Sequence, residues 1–465
     1  MNRRFWSFTF ALLAIGGYSG LLLRPEAATP DWIAEGNQAS AYFGWSVGTA
    51  GDVNGDSYVD VIVGAWQYDN GETDGRVFVY HGSAIGLSFI PNWVAIGDQA
   101  DAYFGGAVGR AGDVNGDGYD DVYVGADGYT NDQEEEGRVY VYYGSAAGLS
   151  QTADWIVEGD QEGAAFGHAA GAAGDVNGDG YDDLIVGADD YSNGQEEEGR
   201  AFVYYGSAAG LSLIPAWTAE SNQAEANFGF AVGSAGDVNG DGYDEVIVGA
   251  VHYDHPQPDE GMAFVFYGSA GGPSLTANWA AEGQQVEAWL GHSVGGAGDV
   301  NNDGYDDVLV GAYHFSHGQV SEGLVTLYLG SAAGLGRSPN WVAEGNQPQA
   351  AFGYSLGRAG DVNNDGFDDV IIGAYHYTWG QREEGRAFVY HGSAVGLRPF
   401  ANWTGESNQR GATFARSVGT AGDVNGDGYA DAIIGAYLYS NGQPEEGRAY
   451  AYLGSSGGLR PTGGR

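Results

Sequence analysis

The stretch Asp113-Val-Asn115-Gly116-Asp117-Gly118-Tyr119-Asp120-Asp121-Val-Tyr-Val-Gly125-Ala126 decides how the chain is to be read. Its first nine residues put oxygen-bearing side chains at alternate positions, Asp113, Asn115, Asp117 and Asp121, with Tyr119 at the seventh. Alternate hard oxygens on a tight turn converge on one point and suit Ca2+, the backbone carbonyl of the seventh residue adding a further ligand. Gly116 and Gly118 permit the left-handed backbone of a sharp turn. Without a cation, the carboxylates of Asp113, Asp117, Asp120 and Asp121 repel one another. An EF-hand would carry a glutamate at the twelfth position and continue as a helix. Here that position is Val124, inside a β-rich apolar run, so a strand follows and EF-hand-like modules, dockerins included, are disfavoured.

The loop occurs seven times, with first aspartates at 52, 113, 175, 237, 299, 361 and 423; the step is 61 once and then 62. The same offsets assign Asp52, Asn54, Asp56, Tyr58 and Asp60 to the first copy, and Asp175, Asn177, Asp179, Tyr181 and Asp183 to the third. The fourth has Asp237, Asn239, Asp241, Tyr243 and Glu245; the fifth, Asp299, Asn301, Asp303, Tyr305 and Asp307. The sixth has Asp361, Asn363, Asp365, Phe367 and Asp369; the seventh, Asp423, Asn425, Asp427, Tyr429 and Asp431. One copy alone would read as an ordinary acidic turn. Seven at fixed offsets predict up to seven Ca2+ ions. Ser57 replaces a turn glycine in the first copy and Glu245 replaces aspartate in the fourth, so these two sites are expected to be the weakest.

A constant period of this length marks one repeated supersecondary unit. Each unit reads as four short β segments with turns between them: the run after the loop, an alternating strand such as 137–144, a Trp segment such as Asp154-Trp155, and the segment leading into the next loop. Four-stranded units repeated around an axis are β-propeller blades. The predicted fold is all-β, a seven-bladed propeller of four-stranded antiparallel blades. The Trp markers run from Trp32 to Trp403, and the chain stops at Arg465 where an eighth would fall. The N-terminal strand is therefore expected to complete the last blade and close the ring, which removes an exposed edge.

The net charge is −45, and all 17 basic residues are arginine. Seven Ca2+ ions would cancel 14 of these charges and leave −31, so nucleic acid is a poor partner and none is expected. Cysteine is absent, which leaves metal ions as the staple. Arg3 and Arg4 precede an uncharged run from Phe5 to Leu23, as in a secretory signal; the run is also near the length of a membrane span. Residues 1–28 are read as a signal peptide or N-terminal anchor and 29–465 as the propeller. No later segment has the apolar length to span a bilayer. The expected location is extracellular or periplasmic, and the expected state monomeric.

Phe43-Gly44, Phe104-Gly105, Phe166-Gly167, Phe228-Gly229 and Phe352-Gly353 open repeats, and Gly-Ala pairs from Gly64-Ala65 to Gly435-Ala436 close the segments after the loops. With the acidic loops between them, these residues resemble the FG-GAP repeat family, which includes the N-terminal propeller of integrin α subunits. Leu290-Gly291 and Phe414-Ala415 depart from the pattern and weaken a local turn. The resemblance implies Ca2+ on one face of the propeller and partner binding on the other.

Strand alternation puts the acidic loops on one face and the acidic connectors, with the Trp-to-Phe-Gly connectors, on the other. Residues that differ between copies gather on that second face. Those after each Phe-Gly are Trp45, Gly106, His168, Phe230, His292, Tyr354 and Arg416; those opening the connectors include Trp66, Tyr313 and Tyr375. If the Phe-Gly strand is innermost, the first set rings the channel mouth. Aromatic platforms beside carboxylates suit a sugar or peptide, so Trp45, Trp66, His168, Phe230, His292, Tyr313, Tyr354, Tyr375 and Arg416 are the candidate ligand residues. The competing reading is that they only fill the funnel. His252, His314 and His376 share a repeat position on separate blades and are read as solvated, on wet, flexible connectors. Gly291-His-Ser293-Val-Gly295 and its two equivalents at Ser46 and Ser355 match a hydrolase elbow, but the position is alanine in other copies. No catalytic residue is assigned.

The leading expectation is a secreted, calcium-binding propeller that recognises an extracellular protein or glycan in adhesion or surface recognition. The alternatives are a propeller-type lyase or glycosidase, and a purely structural component of an envelope or matrix.

Overall fold

A computed structural model of the chain describes residues 28–69, 71 and 74–460. The leader proposed for residues 1–28 lies, apart from Ala28, outside the described residues. Twenty-eight strands form seven four-stranded antiparallel sheets. The first strand, β1 (Trp32–Glu35), is followed by β2 (Val47–Gly51), β3 (Asp60–Ala65), β4 (Arg76–Tyr80) and β5 (Trp93–Ile96), and β2 to β5 make the first blade in chain order. The next five blades repeat this order.

The seventh blade is closed by the first strand. Its sheet consists of Val418–Gly422, Asp431–Ala436 and Arg448–Tyr452 with β1 on the outside, Trp32 opposite Ala451 and Glu35 opposite Arg448. The Arg448 guanidinium binds the Glu35 carboxylate across this junction and lies 3.7 Å above the Tyr439 ring. Ring closure is as the sequence predicted. Among the described residues, no helix is long and apolar enough to cross a membrane.

Each strand's sequence follows from its depth. The second strand of every blade is buried at all six positions, covered on both faces by neighbouring blades, so it reads as a continuous apolar run such as Val61-Ile-Val. The outermost strand alternates, with Trp93 buried and Val94 exposed.

Two contacts recur between blades. The outer-strand Trp packs into the next blade: Trp93 meets Tyr142 edge-on at 4.9 Å, and its Nε1 donates to Ser150 O at 2.8 Å. Nearer the axis, a Cβ on Gly64 would lie 2.1 Å from Gly105 O, so the Gly-Ala glycine is what lets the next Phe-Gly backbone approach. The Phe rings of that motif are buried; Phe104 is 1% exposed. In the seventh copy Ala415 holds φ at 66°, the left-handed strain expected where the glycine is missing.

Candidate functional site

The acidic loops are folded by their own carboxylates. Asp113 Oδ1 accepts N–H groups from Gly116 (2.7 Å) and Asp117 (3.0 Å), and its Oδ2 accepts that of Gly118 (2.9 Å). Asn115 Oδ1 accepts the Asp117 amide at 2.9 Å. Asp121 is fully buried; its two oxygens accept the amides of Val114 and Gly144. Burial pushes the Asp121 carboxyl up to about 8, against those two amide bonds, and the charges of Asp117 and Asp113 push the same way. Asp60, Asp183, Glu245 and Asp369 are raised to about 8 and Asp307 and Asp431 to about 7, in each case chiefly by burial.

The donor set fits a hard divalent cation. It is made of oxygen alone. In the third and sixth loops the third-position oxygens, Asn177 Oδ1 and Asn363 Oδ1, are buried without a hydrogen-bond partner. In the fourth loop, oxygens of Asp237, Asp241 and Glu245 lie within 4.8 Å of one another, the one such group among the described residues. Glu245, which replaces aspartate here, accepts the Val238 amide at 2.7 Å and still reaches the cluster. Ser57, by contrast, holds φ at 72°, as the missing glycine implied.

The loops also lock to one another, which the sequence did not reveal. Tyr119 lies against the preceding loop, where a Cβ on Gly55 would meet its ring at 2.5 Å. The eighth-position carboxylates reach back in the same direction. Asp182 Oδ2 accepts the Asp113 amide at 2.9 Å, and Asp244 Oδ2 that of Asp175 at 2.9 Å.

On the opposite face, one residue from each blade converges on a central funnel. Trp45, Gly106, His168, Phe230, His292, Tyr354 and Arg416 all line one cavity of about 510 Å3, joined by Trp66. Tyr313 and Tyr375 are not in its wall; they back it, 5.1 and 4.4 Å from the Tyr354 ring. Tyr103 and Asp127 line it as well. Tyr103 precedes a Phe-Gly pair, a position that also varies between copies (Tyr42, Ala165, Asn227, Trp289), and that variation was the overlooked signal.

The wall is a chain of ring contacts. Trp66 meets Tyr103 at 4.9 Å and Trp45 at 5.3 Å, and the Arg416 guanidinium lies 3.3 Å above Trp45. On the other side His168, Phe230, His292 and Tyr354 follow at 4.9, 4.9 and 4.5 Å. His168 Nδ1 is 3.0 Å from Asp189 Oδ1, and that carboxylate, outweighing desolvation, raises the imidazole to about 9. His292 is pushed down to about 3 by burial and by the positive charges of Arg416 and His168, so it is neutral. Burial raises the Asp127 carboxyl. The funnel thus sets Arg416 on one side and the His168–Asp189 pair on the other, with aromatic rings in the wall between them.

The serines of the elbow-like motif are structural. Ser46 Oγ donates to Gly105 O at 2.8 Å and Ser293 Oγ to Gly353 O at 2.7 Å, each stitching its blade to the next. The acidic connectors are not loose either. Glu136, Glu198, Glu322 and Glu446 are each 1% exposed and accept backbone amides within their own connectors, as Glu198 does from Asn193 at 2.7 Å. His252, His314 and His376 are half-buried rather than freely solvated; His314 stacks on Trp289 at 3.9 Å.

Comparison with known proteins follows the same lines. The chain is 32% identical over 253 residues to integrin alpha-5 of Xenopus laevis, and 36% identical over 208 residues to a phosphatidylinositol-glycan-specific phospholipase D of Bos taurus. These stretches cover 52% and 41% of this chain but 23% and 24% of the relatives, so the likeness spans about a quarter of each relative's length. A crystal structure of BBS1N in complex with ARL6DN shares the fold at a TM-score of 0.53 and 10% identity, covering 91% of this chain and 96% of that one. The FG-GAP repeat matches residues 43–80, 104–142, 166–204, 228–266, 290–328, 352–390 and 414–452, including the two copies that depart from the motif, and the chain belongs to the FG-GAP repeat family.

Proposed function

We propose that the chain is a secreted, calcium-stabilised recognition propeller that takes an extracellular glycan or protein in the funnel opposite its cation loops. One observation carries this reading: the residues that escape the repeat, one per blade, line a single cavity. Packing alone does not call for six residue types at seven equivalent positions, and the cavity has the size and the aromatic-plus-polar lining of a ligand site. Membership of a family that includes integrin α subunits supports partner recognition, and the oxygen-only loops support calcium. In each loop the first, third, fifth and ninth side chains would hold the ion, which would neutralise carboxylates that otherwise repel.

The reading is tested by screening the calcium-loaded chain on a glycan array and on immobilised extracellular matrix proteins, with Trp45→Ala and Trp66→Ala beside it. Binding lost in both variants, with the melting temperature kept, is the expected result. Binding indifferent to both would move the site elsewhere.

A second reading has one observation in its favour. His168, held by Asp189 and facing Asp127, is an acid–base group inside the cavity. Turnover of a polysaccharide or glycoside that disappears in His168→Gln would make the funnel a lyase or glycosidase site.

A further inference from the structure

Arg416 is a cation without a counter-ion in a chain that carries a net charge of −45. Several other arginines find carboxylates: Arg138 pairs with Asp98 and Glu158, Arg358 with Asp368, and Arg448 with Glu35. No carboxylate among the described residues lies within ion-pair distance of Arg416. Its Nη1 donates to Trp45 O at 3.1 Å, which fixes the fork; its remaining N–H groups bond no described protein atom. It is half-buried, with its guanidinium flat on Trp45 and the rings of Tyr354 and Tyr437 5.4 and 5.6 Å away. An arginine so placed has lost part of its water shell, is held in one orientation, and presents free donors to a concavity.

We infer that Arg416 is the anion-recognising group of the funnel, and that the ligand is a glycan bearing a carboxylate, a hexuronate-type sugar. The inference rests on the recognition reading above and narrows it. A planar guanidinium fork matches a carboxylate with two parallel hydrogen bonds. Arg416 is the sole arginine in the cavity wall, and the chain has no lysine, so one negative charge is matched rather than the several of a phosphate or sulfate cluster. The neighbouring wall is aromatic. Trp66 meets Trp45 and Tyr103 edge to face, and aromatic side chains of this kind suit the C–H face of a pyranose ring. Across the axis Asp127 and His168 offer an acceptor and a donor for sugar hydroxyls.

The electrostatics give the ligand a direction. Beside the funnel, on the side away from Arg416, lies a cleft of about 580 Å3 walled by Asp189, Asp190, Glu197, Glu225, Asp259 and Glu287. A carboxylate is repelled there and attracted at Arg416, so an acidic sugar is held with its anionic edge toward the seventh blade.

The test is calorimetry on the full calcium-loaded chain with a short unesterified hexuronate trisaccharide and with its methyl ester. The ester keeps every ring and hydroxyl and replaces each carboxylate by a neutral methyl ester. The acid is expected to bind about 10- to 100-fold more tightly than the ester, the range of one charge-assisted bidentate contact. Arg416→Gln should bring the acid down to the ester, and Arg416→Lys, which keeps the charge but not the fork, should fall between them. If Arg416→Gln does not fold, the acid–ester comparison on the unmodified chain decides alone. Equal binding of acid and ester, lost in Trp45→Ala, would overturn the inference and leave the recognition reading standing. Binding of an acidic peptide or a sulfated sugar in an Arg416-dependent way, with neither uronate bound, would overturn the sugar assignment. No binding of any of these probes would overturn the inference outright.

Discussion

Asp244 accepts the backbone N–H of Asp175 through Oδ2 at 2.9 Å, and its own amide donates to Asp175 O at 3.2 Å. The two residues belong to consecutive acidic loops, so the first-position aspartate of one blade is held by the eighth-position aspartate of the next. Asp120, Asp182, Asp306 and Asp368 repeat the contact; Val59 and Ala430 interrupt it in the first and seventh copies.

Removing one of these links should therefore weaken a seam between blades. Asp244→Ala is expected to cost about 1–3 kcal/mol, because it strands a partly buried amide. Asp244→Asn keeps an acceptor oxygen and should cost less. Thermal melts in calcium measure both, and an Asp244→Ala protein as stable as its parent would show that the link is incidental.

The first loop offers a gain. Ser57→Gly removes a side chain from a φ of 72° and should stabilise the calcium-loaded chain by about 1 kcal/mol. Ser57→Ala should change little. Asp117→Ala should be clearly worse than either, since it deletes a ligand oxygen and leaves Asp113 and Asp121 facing each other uncompensated.

Calcium removal should make stability depend on pH in one direction. In the cation-free fold the ninth-position carboxyls lie at about 7 to 8, far above the roughly 4 of an unfolded chain. The folded form then holds more protons than the unfolded one between those values. Its stability is fully present below about pH 4 and is lost as pH rises through 8. Melts in chelator should fall steadily over pH 5–8, and melts in calcium should not. Calcium binding at pH 7 should release protons, which titrations in buffers of different ionisation enthalpy detect. A chelated protein with a flat pH profile would contradict this.

His168 should titrate on its own. Asp189 raises the imidazole to about 9 from an unfolded value near 6.5. The stabilisation from this pair is therefore fully present below about pH 6.5 and disappears as pH rises through 9. The stability difference between the parent and His168→Gln should shrink across that window, and the His168 ring signals should shift near pH 9. A midpoint near 6.5 would mean that the pair does not form.

The ring and its closure were legible because they depend on period and on one-residue markers. Trp32 and Trp403 counted the blades, and Val61-Ile-Val marked a strand buried on both faces. The acidic loops were legible from offsets alone. What the sequence hid lies between copies. Nothing local to Asp244 points to the amide of Asp175, because contacts between repeats leave no periodic trace that distinguishes them from contacts within one. The funnel was half legible. The residue after each Phe-Gly stood out by varying, whereas Tyr103 was masked by a position that is also alanine or asparagine elsewhere. Tyr313 and Tyr375, candidates as connector aromatics, lie one layer behind the wall, because a strand-end residue seen in sequence does not show which of two layers it enters. The acidic connectors were misread as loose because Glu198 looks like any surface glutamate until its amide partner is known.

The central claim is that the acidic loops are cation clamps bracing a closed ring, and counting ions tests it most directly. At neutral pH, elemental analysis of the chain equilibrated in millimolar calcium, less the free ion of the dialysate, combined with titration calorimetry of the chelator-stripped chain, should find about seven Ca2+ per chain, one for each loop, with the melting temperature rising as they bind. Fewer than two ions per chain, or a melting temperature that does not respond to their loss, would contradict it.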